Sequence, residues 1–146
     1  MLKIGIIGAG TMGGMHADCY SEIPDAKVVA VADARIDAAK RVAEKHSAQA
    51  FDKIDDVLSI KDIDIIDICL PTSMHKENVL KAASAKKHIF CEKPIARELE
   101  DGKEMISAVK KAGVKFMVGH VLRFFHEYVT AKQIIESGKI GNPIMI

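Results

Sequence analysis

Gly8, Gly10 and Gly13 lie between a run of branched apolar residues, Leu2-Lys3-Ile4-Gly5-Ile6-Ile7, and a segment of helical character from about Met12 to Ser21. This placement constrains the fold more than any other feature of the chain. A buried strand that enters a glycine-rich turn and leaves it as a helix opens a βαβ unit, and such crossovers build parallel sheets. Each glycine has its own task in a turn of this kind. Gly8 permits the tight bend, Gly10 lets a pyrophosphate approach the backbone, and Gly13 lets the helix pack closely on the sheet. N–H groups at the helix start, those of Thr11 and Met12 among them, lack intrahelical partners and, with the helix dipole, favour a phosphate. The bare G-x-G-x-x-G pattern is a weak signal; its strand-turn-helix context carries the reading.

Asp33 stands twenty positions beyond Gly13, at the end of a second apolar run, Lys27-Val28-Val29-Ala30-Val31-Ala32. An acid there accepts hydrogen bonds from the adenosine ribose hydroxyls and repels a 2′-phosphate, which predicts NAD as the cofactor. Arg35, two residues on, is the residue type that accommodates a 2′-phosphate and keeps NADP as the alternative. The competing structural reading is that Asp33 only caps the helix beginning near Ile36.

Strand and helix patterns continue to alternate. Helices are predicted over 36–45, 52–58, 74–85, 99–111 and 125–137, the last two ending at Gly113 and Gly138. Further strands are predicted over 48–51, 63–70, 87–90 and 114–118, and Pro143-Ile144-Met145-Ile146 reads as one more strand beginning. The predicted fold is therefore α/β, a Rossmann-type, doubly wound, mainly parallel sheet with helices on both faces. The 146 residues suit one domain. Lys and Arg number 21 against 20 Asp and Glu, so the chain lacks the basic surplus that a nucleic-acid or anionic-membrane partner requires. No apolar run reaches the ~20 residues of a membrane helix. The first residues lack the pattern of a signal peptide, and Cys19, Cys69 and Cys91 suggest neither a disulfide framework nor a metal site. These features predict a reduced, cytoplasmic protein.

Further motifs punctuate the strand ends: Leu70-Pro71-Thr72-Ser73-Met74-His75, then Cys91-Glu92-Lys93-Pro94, Val118-Gly119-His120-Val121-Leu122-Arg123-Phe124 and Gly138-Lys139-Ile140-Gly141-Asn142-Pro143. With the glycine loop and its continuation Gly14-Met15-His16-Ala17, and in that order, they resemble the glucose-fructose oxidoreductase/inositol dehydrogenase (Gfo/Idh/MocA) family over essentially the whole chain. The Glu-Lys-Pro triplet, with Pro-x-x-x-His upstream, is more specific than the glycine loop. The resemblance implies an NAD(P)-dependent dehydrogenase acting on a sugar, polyol or related alcohol, homo-oligomeric in its full-length form. Residues 1–120 are then an NAD(P)-binding Rossmann domain. Residues 121–146 are a linking helix and the start of a C-terminal domain, expected beyond Ile146 together with the family's Asp-x-x-x-His catalytic pair. On this reading the chain alone is inactive. Two departures are Leu70, where the family usually has threonine before proline, and Phe125-His126, where proline often follows Arg-Phe.

Lys93 is the candidate catalytic residue. It follows a strand at the carboxyl edge of the sheet, where its ammonium can hydrogen-bond the reacting hydroxyl and stabilise the alkoxide formed as hydride leaves. Glu92 either orients Lys93 or the cofactor, or is a structural cap. Leu70, Pro71, Thr72 and His75 are assigned to the cofactor side, with His75 equally open to a structural role. His120 and Arg123 are substrate-side candidates. His16 is read as a packing or helix-bonded residue, and Cys69 and Cys91 as small buried hydrophobes rather than nucleophiles. The alternative function is a non-catalytic dinucleotide-binding module, redox-sensing or scaffold. A methyltransferase with the same loop leaves Lys93 and Arg123-Phe124 without a role.

Overall fold

The computed structural model describes residues 1–145, whose six strands form one parallel sheet in the order β3-β2-β1-β4-β5-β6. The strands are β1 (Leu2–Ile7), β2 (Ala26–Ala32), β3 (Gln49–Phe51), β4 (Ile65–Ile68), β5 (His88–Cys91) and β6 (Phe116–Val118), and the helices α1 (Thr11–Ser21), α2 (Ile36–Lys45), α3 (Ile54–Ser59), α4 (His75–Ser84), α5 (Leu99–Ala112) and α6 (His126–Glu136). The chain starts in the middle of the sheet, winds out to β3 and crosses back to β4 on the other side of β1. That reversal opens a crevice beyond the carboxyl ends of β1 and β4, where doubly wound sheets bind ligands. Register brings the loops to one level: Ile7 pairs with both Ala32 and Ile68, Ile68 with Cys91, and Cys91 with Val118. Gly8, Asp33, Cys69, Glu92 and Gly119 consequently leave the sheet along a single edge.

Side-chain alternation along the strands sends apolar residues into two cores. Ile7, Ile66, Ile68 and Ile89 meet Val79, Ala82, Ala83, Met105 and Val109 of α4 and α5 on one face. Ile4, Ile6, Val28 and Val31 meet Ala17 of α1 and Ala39, Val42 and Ala43 of α2 on the other. Alanine at the helix contacts brings the helix axes close to the sheet. Charges follow the helix dipoles in α5, with Glu100 and Asp101 in its first turn and Lys110 and Lys111 in its last. Gly113 ends α5 at φ +71°, its N–H reaching the Val109 and Lys110 carbonyls, as its position predicted. At the opposite edge of the sheet, the buried Lys87 ammonium donates to the carbonyls of Ile60, Lys61 and Ile63, each at 2.8 Å.

Some predicted elements come out shorter. The 63–70 run pairs only over Ile65–Ile68, and the 114–118 run only over Phe116–Val118, because β6 has a neighbour on one side alone. The helix predicted over 74–85 begins as a 3-10 turn, Thr72–Met74, and becomes α-helical at His75. Residues 143–145 do not form the expected strand, for Ile144 and Met145 stand in solvent without a partner strand among the described residues; Ile146 lies outside them. α1 and α2 cover β1 to β3, whereas Phe90 and Met117, on the same face of β5 and β6, stay partly exposed. Among the described residues, α6 contributes none to the core.

Candidate cofactor and active site

The glycine loop is shaped by two close approaches and one opening. Gly8 adopts φ +98°, and a Cβ there would overlap the Cys69 carbonyl. A Cβ on Gly13 would overlap the carbonyl oxygen of Gly8, so α1 can leave the strand only at a glycine. A Cβ on Gly10 would instead meet no atom within 4 Å among the described residues. The loop therefore presents bare backbone to solvent at Gly10, with the first N–H groups of α1, at Thr11 and Met12, beside it. This cradle fits a pyrophosphate.

Asp33 closes the loop from below. Its Oδ2 accepts the Ala9 N–H at 2.8 Å and its Oδ1 the Arg35 N–H at 2.9 Å. The carboxylate thus turns the chain ahead of α2, although Arg35 rather than Asp33 occupies the cap position. Lone pairs remain on both oxygens for further donors, so the structural and ribose-binding readings are compatible. The Arg35 Nε lies 3.6 Å from Asp33 Oδ1, and its side chain is 77% exposed.

Lys93, His120 and Arg123 come together, with Val121 and Leu122, around a cleft of about 410 Å³ at the carboxyl edge of the sheet. Glu92 folds back so that its Oε2 accepts the Lys93 N–H at 3.0 Å. Leu70, Pro71 and Thr72 leave the end of β4 beside this edge. Of the two roles open to His75, lining and structural, the geometry supplies the structural one. Its ring is buried, with Nδ1 2.9 Å from the Pro94 carbonyl oxygen and Nε2 2.8 Å from that of Leu70. It is a strut that ties the loop after β4 to the loop after β5.

His16 departs further from its expected role as a packing or helix-bonded residue. Asp67 is fully buried in β4, and a buried carboxylate demands partners. His16 Nδ1 lies 2.9 Å from Asp67 Oδ2, and its Nε2 lies 3.3 Å from Glu92 Oε1. The Cys69 thiol donates to Asp67 Oδ1 at 3.4 Å, and the Phe90 ring meets the imidazole edge-on at 5.6 Å. The Asp67 hydrogen bond raises the His16 pKa above its ordinary 6.5 despite the opposing cost of burial, with the Asp67 and Glu92 charges adding to the rise. Burial, then the Asp67 charge, pushes the Tyr20 phenol and the Cys69 thiol up. The Cys91 thiol is pushed up to about 12 by burial first and then by Asp67 and Glu92. Burial thus favours the neutral thiol at both positions; Cys91 is the small buried hydrophobe expected, whereas Cys69 is half-buried and hydrogen-bonded to Asp67. The sequence suggested no metal site; here the donor atoms of His16, Asp67 and Cys69 lie within 4.8 Å of one another and are engaged in their mutual hydrogen bonds. Asp67, an acid inside Ile65-Ile66-Asp67-Ile68, was the signal that a buried partner exists.

Comparison with known proteins agrees with this geometry. The sequence model GFO_IDH_MocA, described as an oxidoreductase family with an NAD-binding Rossmann fold, matches residues 2–120. The chain is 41% identical over 143 residues to the uncharacterized oxidoreductase YrbE of Bacillus subtilis (strain 168), covering 97% of this chain and 42% of that protein. It is 36% identical over 143 residues to myo-inositol 2-dehydrogenase of Thermotoga maritima, covering 97% of this chain and 43% of the relative. A solved levoglucosan dehydrogenase, in complex with NADH and levoglucosan, superposes with a TM-score of 0.89 at 33% identity over 96% of this chain and 40% of its own. The chain thus spans about two fifths of the length of these relatives. The comparisons give no support to a non-catalytic redox-sensing or scaffold module, and no helix among the described residues is long and apolar enough to cross a membrane. A glycine cradle, a strand-end acid and a post-strand Glu-Lys-Pro on one sheet edge, in a chain matched from residue 2 to residue 120, place this protein in the Gfo/Idh/MocA oxidoreductase family as its NAD-binding Rossmann domain.

Proposed function

We propose that this chain is the cofactor half of a dehydrogenase that moves hydride between a nicotinamide and a carbon-bound hydroxyl of a sugar, polyol or related alcohol. The observation that carries the reading is the cleft shared by Lys93, His120 and Arg123, on the sheet edge that also bears the glycine loop and Asp33. The polyol and sugar named for the relatives above support the substrate class. Gly8, Gly10, Thr11, Met12 and Gly13 hold the pyrophosphate and Asp33 the ribose, with Arg35 deciding how far a 2′-phosphate is tolerated. Leu70, Pro71 and Thr72 border the nicotinamide side, and His75 acts on it through the Leu70 carbonyl. When bound, NAD supplies the hydride acceptor. Lys93 donates a hydrogen bond to the reacting oxygen, where a positive charge is worth most as alkoxide character grows; Glu92 orients it. His120 and Arg123 hold substrate hydroxyls.

Residues 121–146 lead, on this reading, to a further domain that supplies the general base and the remaining substrate wall. Without both sides of the cleft the reacting atoms are not held in line, so residues 1–146 alone are expected to show no turnover. The complete protein is read as a cytoplasmic homo-oligomer, which light scattering of the full-length form tests. The cofactor reading is tested by parallel fluorescence titrations of this chain with NADH and NADPH. Saturable NADH binding, weakened about tenfold or more by Asp33→Ala through loss of hydrogen bonds to a charged group, is the expected result. Tighter binding of NADPH transfers specificity from Asp33 to Arg35, and binding of neither overturns the reading.

A further inference from the structure

We propose that His16 is a positioning residue for Lys93: its ring links the buried Asp67 carboxylate to the Glu92 carboxylate, and Glu92 in turn holds the Lys93 backbone. The proposal rests on the assignment of Lys93 to the reacting hydroxyl. Three contacts make the chain: Asp67 Oδ2 to His16 Nδ1 at 2.9 Å, His16 Nε2 to Glu92 Oε1 at 3.3 Å, and Glu92 Oε2 to the Lys93 N–H at 3.0 Å. It runs from the middle of the sheet to the residue that borders the cleft, and joins α1, β4 and the loop after β5.

A separate loop is shaped around the same carboxylate. A Cβ on Gly119 would lie 3.0 Å from Glu92 Oε1 and 3.4 Å from the Phe90 ring, so a side chain at 119 would crowd Glu92 where it meets His16. Lys93 needs such support because it is exposed, and the direction of its long, flexible side chain is set by the backbone that carries it. His75 secures the far end through the Pro94 carbonyl, and two histidines thereby bracket the lysine.

The two nitrogens of the His16 ring face the Asp67 and Glu92 carboxylates, which only accept hydrogen bonds, and Nδ1 also lies 3.2 Å from the Cys69 sulfur, whose own proton points to Asp67, so the ring completes the chain when both its nitrogens carry protons. The titratable groups that face it are Asp67 and Cys69 from β4 and its end, Glu92 from the end of β5, and Tyr20 from its own helix; Phe90 supplies an apolar edge. The raised His16 pKa agrees with the doubly paired, charged ring. Above that pKa a neutral ring keeps one N–H and one lone pair, so one carboxylate loses its donor and Lys93 its fixed support.

The test is an NMR titration of the isotopically labelled 146-residue chain from about pH 5.5 to about 8.5, across the histidine range, without cofactor. The ring signals of His16 are expected to titrate above the ordinary histidine value, with the Lys93 backbone amide inflecting at the same midpoint. In Glu92→Gln, the Lys93 inflection is lost while His16 still titrates beside Asp67; Gly119→Ala weakens it in the same way. A Lys93 amide that stays flat through the His16 midpoint, or that inflects unchanged in Glu92→Gln, overturns the proposal. The wild-type titration needs no substitution, so a variant that fails to fold does not block the test. NADH fluorescence on the same samples separates the two readings. Coupling without NADH binding leaves the positioning chain in place and sinks the dehydrogenase assignment; NADH binding without coupling does the reverse.

Discussion

Asp33 does two jobs with one carboxylate, holding the Ala9 amide and turning the chain at Arg35, so the informative substitution keeps the shape and removes the charge. Asp33→Asn retains an acceptor oxygen but no longer repels a 2′-phosphate; the ratio of NADPH to NADH affinity is expected to rise about tenfold, a difference of about 1.4 kcal/mol, in paired fluorescence titrations. Gly13→Ala drives a methyl into the Gly8 carbonyl, which cannot yield without moving β1. A loss of about 2–3 kcal/mol on urea denaturation is expected, at the upper end for overpacking. His16 makes stability depend on pH in a direction that follows from its raised pKa. A folded value above the unfolded 6.5 means that its contribution is complete below about 6.5 and fades as pH rises through the folded value. The stability advantage of wild type over His16→Gln is therefore expected to be largest near pH 6 and to shrink toward alkaline pH in paired urea melts, the reverse trend counting against the ion pair. The glycine and Asp33 roles were legible because turn geometry and strand-end placement are local. The partners of His16 were not, because Asp67 lies 51 residues away in sequence.

At the scale of elements, Lys87 shows how a buried cation serves the turn after a helix. Its ammonium donates to three carbonyls of the turn that follows α3, backbone acceptors that need partners once they leave water. Lys87→Met keeps the length of the stem and strips the donors; a cost of about 2–4 kcal/mol, seen as a lower urea midpoint with an unchanged slope, is expected for leaving buried acceptors unpaired. The helices were readable from apolar periodicity and their terminal charges, with α5 and its Gly113 stop the plainest case. Strand ends were less so. Apolar runs continue past the last residue that has a neighbour to pair with, and pairing rather than composition decided where β4 and β6 end.

The whole molecule is an open sheet wrapped on one face by α3 to α5 and on only part of the other by α1 and α2, with its loops gathered on one edge. Ligand bound across that edge links β1, β2 and β4, so NADH at about one hundred times its dissociation constant should stabilise the chain by about 2.7 kcal/mol, read as a rise of several degrees in melting temperature. No rise at saturating NADH would contradict the cradle at Gly10. The sequence by itself determined the alternation of strand and helix, the parallel sheet, the glycine turn with its acid and the strand-end position of Lys93, all set by periodicity and by backbone rules over a few residues. Only the tertiary structure decided that His75 lies under the site instead of lining it, that Asp67 is paired with His16, and that His120 and Arg123 share a cleft with Lys93. The first two outcomes depend on β4 returning to the far side of β1, which buries Asp67 and His75 within hydrogen-bonding reach of distant partners at a depth where water cannot serve them, and the third on β6 pairing beside β5, which brings the exposed loops after the two strands together.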